Sequence, residues 1–328
     1  MLLALAVCLL TAAPARAQAP AAPPAAPAAP ATPTATVAPE IPGVVSGGTP
    51  VEVFATNLRG TEGPIPHPDG TSLVLTEQQV SIITKLDAGG NATVLLDATQ
   101  GANGLTIDPQ GRLIGTQPAR AAIAMFTPEY RVLADRFEGQ PLLRPNDLVA
   151  DRRGGVYFTD PGPNPAPGDT LPRKPAVFYI QPGGAVVKVT DDITRPNGII
   201  LSPDERVLYI ADTLGPAVIA YDVQPDGSVR NRRAFAALEG VTQTDTGVRS
   251  GADGLAVDED GRLYVATQVG VQVFATDGQH LGTIPIGIPN GPQNLTFAGP
   301  NKQTLFVVGR GSVWKVAMRS RGPRNRAK

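Results

Sequence analysis

Six side chains that carry an oxygen recur along the chain. Glu62, Asn103, Asn146, Asn197, Asp253 and Gln293 are separated by 41, 43, 51, 56 and 40 residues. Two are carboxylates and four are amides. Gathered at one point they would offer hard oxygen donors, which suit Ca2+ and, less selectively, Mg2+ or Mn2+. A zinc centre prefers His or Cys. The chain has two histidines, His67 in "IPHPDG" and His280 in "TDGQHLG", both predicted in surface turns. A Ser-His-Asp arrangement therefore lacks its base. No glycine-rich phosphate loop lies between a strand and a helix.

A simpler account is that these positions are turns. Asn-Gly and Asp-Gly are common turn pairs, and Asn103-Gly104, Asn197-Gly198 and Asp253-Gly254 fit that account. Glu62-Gly63, Asn146-Asp147 and Gln293-Asn294 are poor turn pairs, yet they hold the same register. Turn chemistry alone would also admit Ser, Thr or Gly, and none occurs. The positions are read as a polar ring.

The elements that would carry this ring repeat with it. Each oxygen-bearing residue precedes a short apolar run, and a turn and a second strand follow. "NGLTIDPQGRLIGTQ" and "DGLAVDEDGRLYVAT" show the pattern. In the D-x-x-G turn the Asp side chain caps the backbone and Gly takes the positive φ. Between units lie alternating runs such as "SIITKLD", "AVFYIQ" and "VQVFAT", which have the two-residue period of strands. Six units of this length, four strands each and no convincing amphipathic helix, predict an all-β six-bladed β-propeller. The ring would sit at one mouth of its channel. The last unit supplies only three strands, so "PVEVFATN" (Pro50–Asn57) is expected to complete the last blade and close the ring.

The ends read differently. "MLLALAVCLLTAAPARA" (1–17) has the apolar core and A-x-A site of a signal peptide, which predicts an exported, periplasmic or secreted protein. Cys8, the only cysteine, lies within it. Residues 18–45 are rich in Ala and Pro and are read as a disordered tether. The propeller is assigned to 46–318, and "RSRGPRNRAK" (319–328) to a solvated basic C-terminal tail. Basic and acidic residues number 28 and 29, which leaves no nucleic-acid footprint. No run beyond the leader reaches the ~18 apolar residues of a membrane span.

The segments "EGP", "NGLTIDPQGRL", "RPND…GGVYFTDP", "RPNGI…LYIAD" and "ADGLAVDEDGRLYVA" together resemble the gluconolactonase, senescence-marker-protein (regucalcin) and luciferin-regenerating-enzyme family, over Glu52 to Met318. The resemblance implies a propeller with one divalent cation at the channel mouth, Ca2+ first, with Mg2+, Mn2+ or Zn2+ as substitutes. It implies Glu62, Asn197 and Asp253 as metal ligands. It also implies Asn146 beside the metal and Arg144 on the substrate, with Asn103 in the same pocket. The expected reaction is hydrolysis of a sugar lactone by a monomer acting on a small molecule, with Asp253 as general base or as ligand only. Another ester, an organophosphate, or a calcium-binding propeller without activity are the alternatives. Two departures from the family pattern stand out: the Pro-rich stretch Gly162–Pro175, expected to overhang the mouth, and Gln117.

Overall fold

In a computed structural model, the alternating runs pair into antiparallel sheets that follow one another along the chain. Residues 36–164, 170–244, 247–288, 290–324, 326 and 328 are described. The chain divides into two units, Met1–Thr32 and Pro33–Lys328, and all described residues belong to the second. The predicted signal peptide and most of the predicted tether lie outside the described residues.

Six blades follow in order. Their innermost strands are Thr61–Pro66, Leu105–Ile107, Leu148–Ala150, Pro196–Leu201, Leu255–Val257 and Asn294–Ala298, in blades I to VI. Each innermost strand contacts that of the next blade, and the strand of blade VI contacts that of blade I, which closes the circle. Blade VI is completed from the other end of the chain. Strand Pro50–Ala55 pairs with Ser312–Ala317, with Val51 opposite Val316 and Val53 opposite Trp314. The predicted closure is therefore present. A further short strand, Thr36–Val37, adds to its outer edge.

The turns form as the residue types require. Asp108 Oδ1 accepts from the backbone N–H groups of Gln110 and Arg112 at 3.0 and 2.9 Å. Asp258 and Asp151 do the same in blades V and III. Gly111, Gly154 and Gly261 occupy the positive-φ position at 76°, 86° and 85°, which side chains with a Cβ disfavour. Between blades the faces are filled by large buried residues, among them Tyr157, Phe158, Phe178, Tyr179, Tyr264, Phe274 and Trp314.

Both ends of the propeller depart from expectation. Residues 36–45, assigned to the tether, are packed. Ala38, Ile41, Val44 and Val45 are buried in the core shared by blades V and VI. Their apolar side chains gain more from burial than an extended Ala/Pro segment would. The basic segment after Met318 is not a solvated tail. Backbone N–H groups of Arg319 and Ser320 donate to the Val44 carbonyl. Lys302 Nζ donates to the carbonyls of Pro323 and Arg326. Arg326 reaches the carbonyls of Leu201 and Ser202 at the far end of the innermost strand of blade IV. Arg326 thus meets the end of that strand opposite the polar ring.

Candidate active site and metal centre

All six ring residues line one cavity of about 310 Å³ at the channel mouth. Four of them stand just ahead of their innermost strand. Glu62 and Asn197 are instead the second residue of theirs, and in both strands the register slips immediately afterwards. A bulge at that point re-aims the side chain relative to the ladder.

The ring is held by repeated side-chain bonds. Thr76, Thr116 and Thr159, each near the end of a second strand, donate from Oγ1 to the carbonyls of Asn103, Asn146 and Asn197 in the following blade, at 2.9, 2.7 and 2.7 Å. Thr213 donates to the Ala252 carbonyl, one residue before Asp253, at 2.8 Å. The two Arg-Pro-Asn segments share a further device. Asp160 accepts from the Arg144 N–H at 2.6 Å, and Asp212 from the Arg195 N–H at 2.9 Å. Each aspartate ends the second strand of its own blade and fixes the entry of the first.

Close approach explains the glycines beside the ring. A Cβ on Gly63 would lie 2.1 Å from the Asn103 carbonyl oxygen, and one on Gly198 2.2 Å from that of Asp253. The poor turn pairs have the complementary reason. Asp147 fills the space that Gly104 leaves, and Asn294 the space that Gly254 leaves: a Cβ there would fall 2.5 and 2.1 Å from their Oδ1 atoms.

Hydrogen-bond accounting separates the six ring side chains. Gln293 is committed at both ends, donating to Glu62 Oε1 at 3.1 Å and accepting from the Arg310 N–H at 2.9 Å. Asn103 is also committed, donating to the Asn146 carbonyl at 3.1 Å and accepting from Gln78. Glu62 accepts on both oxygens, with Oε2 taking bonds from Asn294 at 3.2 Å and from the Gly63 N–H at 3.3 Å. Asn197 donates to Thr213 Oγ1 at 3.1 Å, and its Oδ1 is buried with no partner among the described residues. Buried oxygens are rarely left so. Among the described residues no three His, Cys, Asp or Glu side chains form a metal-binding group. The available donors are a mixed set, two carboxylates and an unpartnered amide oxygen, and that set fits a hard divalent cation.

Residues 60–310 match the family described as SMP-30/Gluconolactonase/LRE-like region. The chain belongs to this family. It is 28% identical to the Gluconolactonase of Zymomonas mobilis over 87% of this chain and 86% of that one. The solved structure of a gluconolactonase from Xanthomonas campestris superposes with a TM-score of 0.76 at 30% identity, covering 90% of this chain and 99% of the other. Human Regucalcin is 27% identical over 50% of this chain and 53% of its own length.

As a member of the SMP-30/gluconolactonase/LRE-like family, the chain retains the expected oxygens in one cavity, but several site residues escape a reading of the sequence. Asp147, Asn294, Thr213, Arg195 and Arg249 are among them. The first two follow ring positions where glycine would be usual, and that substitution was the available signal. Gln117, noted as a departure, faces away from the cavity: it bonds the Thr99 carbonyl and the Tyr130 hydroxyl, each at 2.9 Å. Of the Pro-rich stretch, Gly162 and Asn164 line the cavity rim as expected, and 165–169 lie outside the described residues. His67 and His280 pair with Asp69 and Glu239 away from the site.

The acidic groups oppose one another. Burial pushes the Glu62 carboxyl up to about 7, and the charge of Asp147 adds to the rise. Asp253 is held well above the usual carboxylate range by burial, then by the charges of Glu62 and Asp147. At the rim, burial lowers Arg195, and the charges of Arg144 and Arg249 lower it further.

A raised folded-state pKa means stability present at low pH and lost as pH rises through the window from 4.5 to about 7. A bound cation replaces those protons. At a hundredfold excess over Kd it contributes about 2.7 kcal/mol, or roughly 4–5 °C in Tm for a domain of this size. Calorimetry with and without Ca2+ should show that gain at pH 8 and a much smaller one at pH 5. Equal gains at both pH values would contradict the assignment of Glu62 and Asp253 to the cation.

Proposed function

We propose that the protein is a divalent-metal-dependent lactonase that opens a sugar lactone to its hydroxy acid. The observation that carries this is the unpartnered Asn197 Oδ1, in the same cavity as Glu62 and Asp253, in a chain whose relatives are named gluconolactonases. Glu62, Asn197 and Asp253 would hold the cation, with Ca2+ favoured by the all-oxygen donors. The cation, when bound, supplies Lewis-acid polarisation of the ester carbonyl.

The chain's own residues supply the rest. The Asn146 side chain has no hydrogen bond among the described residues and would bond a lactone hydroxyl, and Arg144 reaches the same cavity from two residues earlier. Asp253 would orient the attacking water and take its proton, which leaves finally on the alcohol released from the ring. The committed amides of Asn103 and Gln293 keep the wall in register.

The test is acid release from D-glucono-1,5-lactone before and after chelation, with cations added back singly. Loss of turnover on chelation and recovery with Ca2+ is the expected result. A folded protein that shows the cation-dependent rise in Tm but opens no lactone would overturn the lactonase reading. The leader-like 1–17 segment supports export, so the assay should begin with protein lacking it.

A further inference from the structure

Three arginines face the same small cavity. Arg144 and Arg195 come from the two Arg-Pro-Asn segments, and Arg249 comes from the hairpin Thr242–Thr244 and Gly247–Arg249. None forms an ion pair among the described residues, although Arg residues elsewhere do so, as with Arg173 and Asp160 at 2.5 Å and Arg262 and Asp258 at 2.7 Å. The Arg195 guanidinium meets only the carbonyls of Pro163 and Gly162, at 3.4 and 3.5 Å. The Arg144 and Arg249 guanidinium groups have no hydrogen-bond partner among the described residues.

The charges at the mouth do not balance for a neutral ligand. Glu62 and Asp253 together match one divalent cation. Three guanidinium groups remain, close to one another in a cavity of about 310 Å³. Like charges gathered in a restricted space repel, and a guanidinium fork is the preferred partner of carboxylate and phosphate. A neutral aldonolactone offers hydroxyls, for which one such donor suffices.

We propose that the natural substrate is an anionic lactone, one that carries a carboxylate or phosphate in addition to the ester that is opened, and that Arg195 and Arg249 bind this second group. The inference rests on the lactonase reading above. No new covalent step is involved, since water adds to the ester carbonyl and the ring oxygen leaves as the alcohol in either case. Arg249 is the specificity residue most open to test, because it lies outside the blades and on no innermost strand.

The experiment compares kcat/KM of the full cation-loaded protein on three lactones: D-glucono-1,5-lactone, its 6-phosphate, and the monolactone of an aldaric acid. At least one anionic lactone should exceed the neutral one by about tenfold or more, the value of one charge-assisted hydrogen bond. The preference should shrink as salt is raised. Arg249→Gln should narrow the ratio of anionic to neutral kcat/KM, while Arg249→Lys should restore part of it. Which anionic lactone is preferred separates carboxylate from phosphate. Neutral lactone opened as well as either anionic one would overturn this proposal and leave the lactonase reading standing. No turnover of any of the three would overturn both.

Discussion

Asp253→Asn should abolish turnover while leaving the propeller folded. Asparagine has the same shape, so the bond from the Asp253 N–H to the Ala266 carbonyl and the close contact of Gly198 with the Asp253 carbonyl are untouched. What is lost is the negative charge and the proton acceptor. Removing a positioned acid–base group costs on the order of 10³-fold, and a lost charge on the cation adds to it. Stability moves the other way. In the cation-free protein burial and the charges of Glu62 and Asp147 oppose ionisation of Asp253. The neutral amide relieves that repulsion, so Tm without cation should be unchanged or higher. The gain in Tm on adding Ca2+ should fall. Kinetics and calorimetry on the one variant therefore give opposite signs. Near-normal turnover would remove Asp253 from the mechanism, and a collapsed Tm would assign it a structural role.

The largest expected effect on stability lies beneath the site. Lys328 Nζ donates to Asp147 Oδ2 and to the Leu148 carbonyl. Both side chains of the ion pair are only 1% exposed. Asp147 acts on both Glu62 and Asp253 through its charge, and Lys328 lowers Glu62 in return. Lys328→Met leaves a carboxylate in the channel with two others nearby and no cation paired to it. Breaking a buried pair on one side costs ~3–5 kcal/mol. Asp147→Asn in the same chain removes the stranded charge and should restore most of the loss. Urea unfolding of the wild type, both single variants and the double variant measures the coupling. A loss below about 1 kcal/mol for Lys328→Met, unaffected by the second change, would mean that the pair is not formed in solution.

Much of the architecture was legible because it is written locally. The D-x-x-G turns, the two-residue alternation and the recurrence of one unit need only neighbouring residues. The three-stranded last unit told where Pro50–Ala55 had to go, since an open blade edge is unfavourable. The ends were misread for a related reason. Composition between 18 and 45 is dominated by Ala and Pro, but Ile41, Val44 and Val45 are enough to dock its last part once blades V and VI offer a surface. The basic character of 319–328 suggested solvent, whereas carbonyls of the inner strands gave Arg326 and Lys328 partners, and the segment's own carbonyls accept from Lys302, contacts that no local pattern reveals.

The sequence by itself determined the repeat, the number of blades and the six oxygen-bearing positions, because each is a relation between residue type and spacing along the chain. Only the tertiary structure decided which of those oxygens are available. Gln293 and Asn103 are tied off by Glu62, Arg310, Gln78 and Asn146, and Asn197 Oδ1 is left without a partner among the described residues. It also decided that Asp147 and Asn294 fill the gaps left by Gly104 and Gly254, and that three arginines share one rim. These are contacts between residues tens to hundreds of positions apart. They depend on where closing the ring places each strand end, which spacing along the chain does not encode.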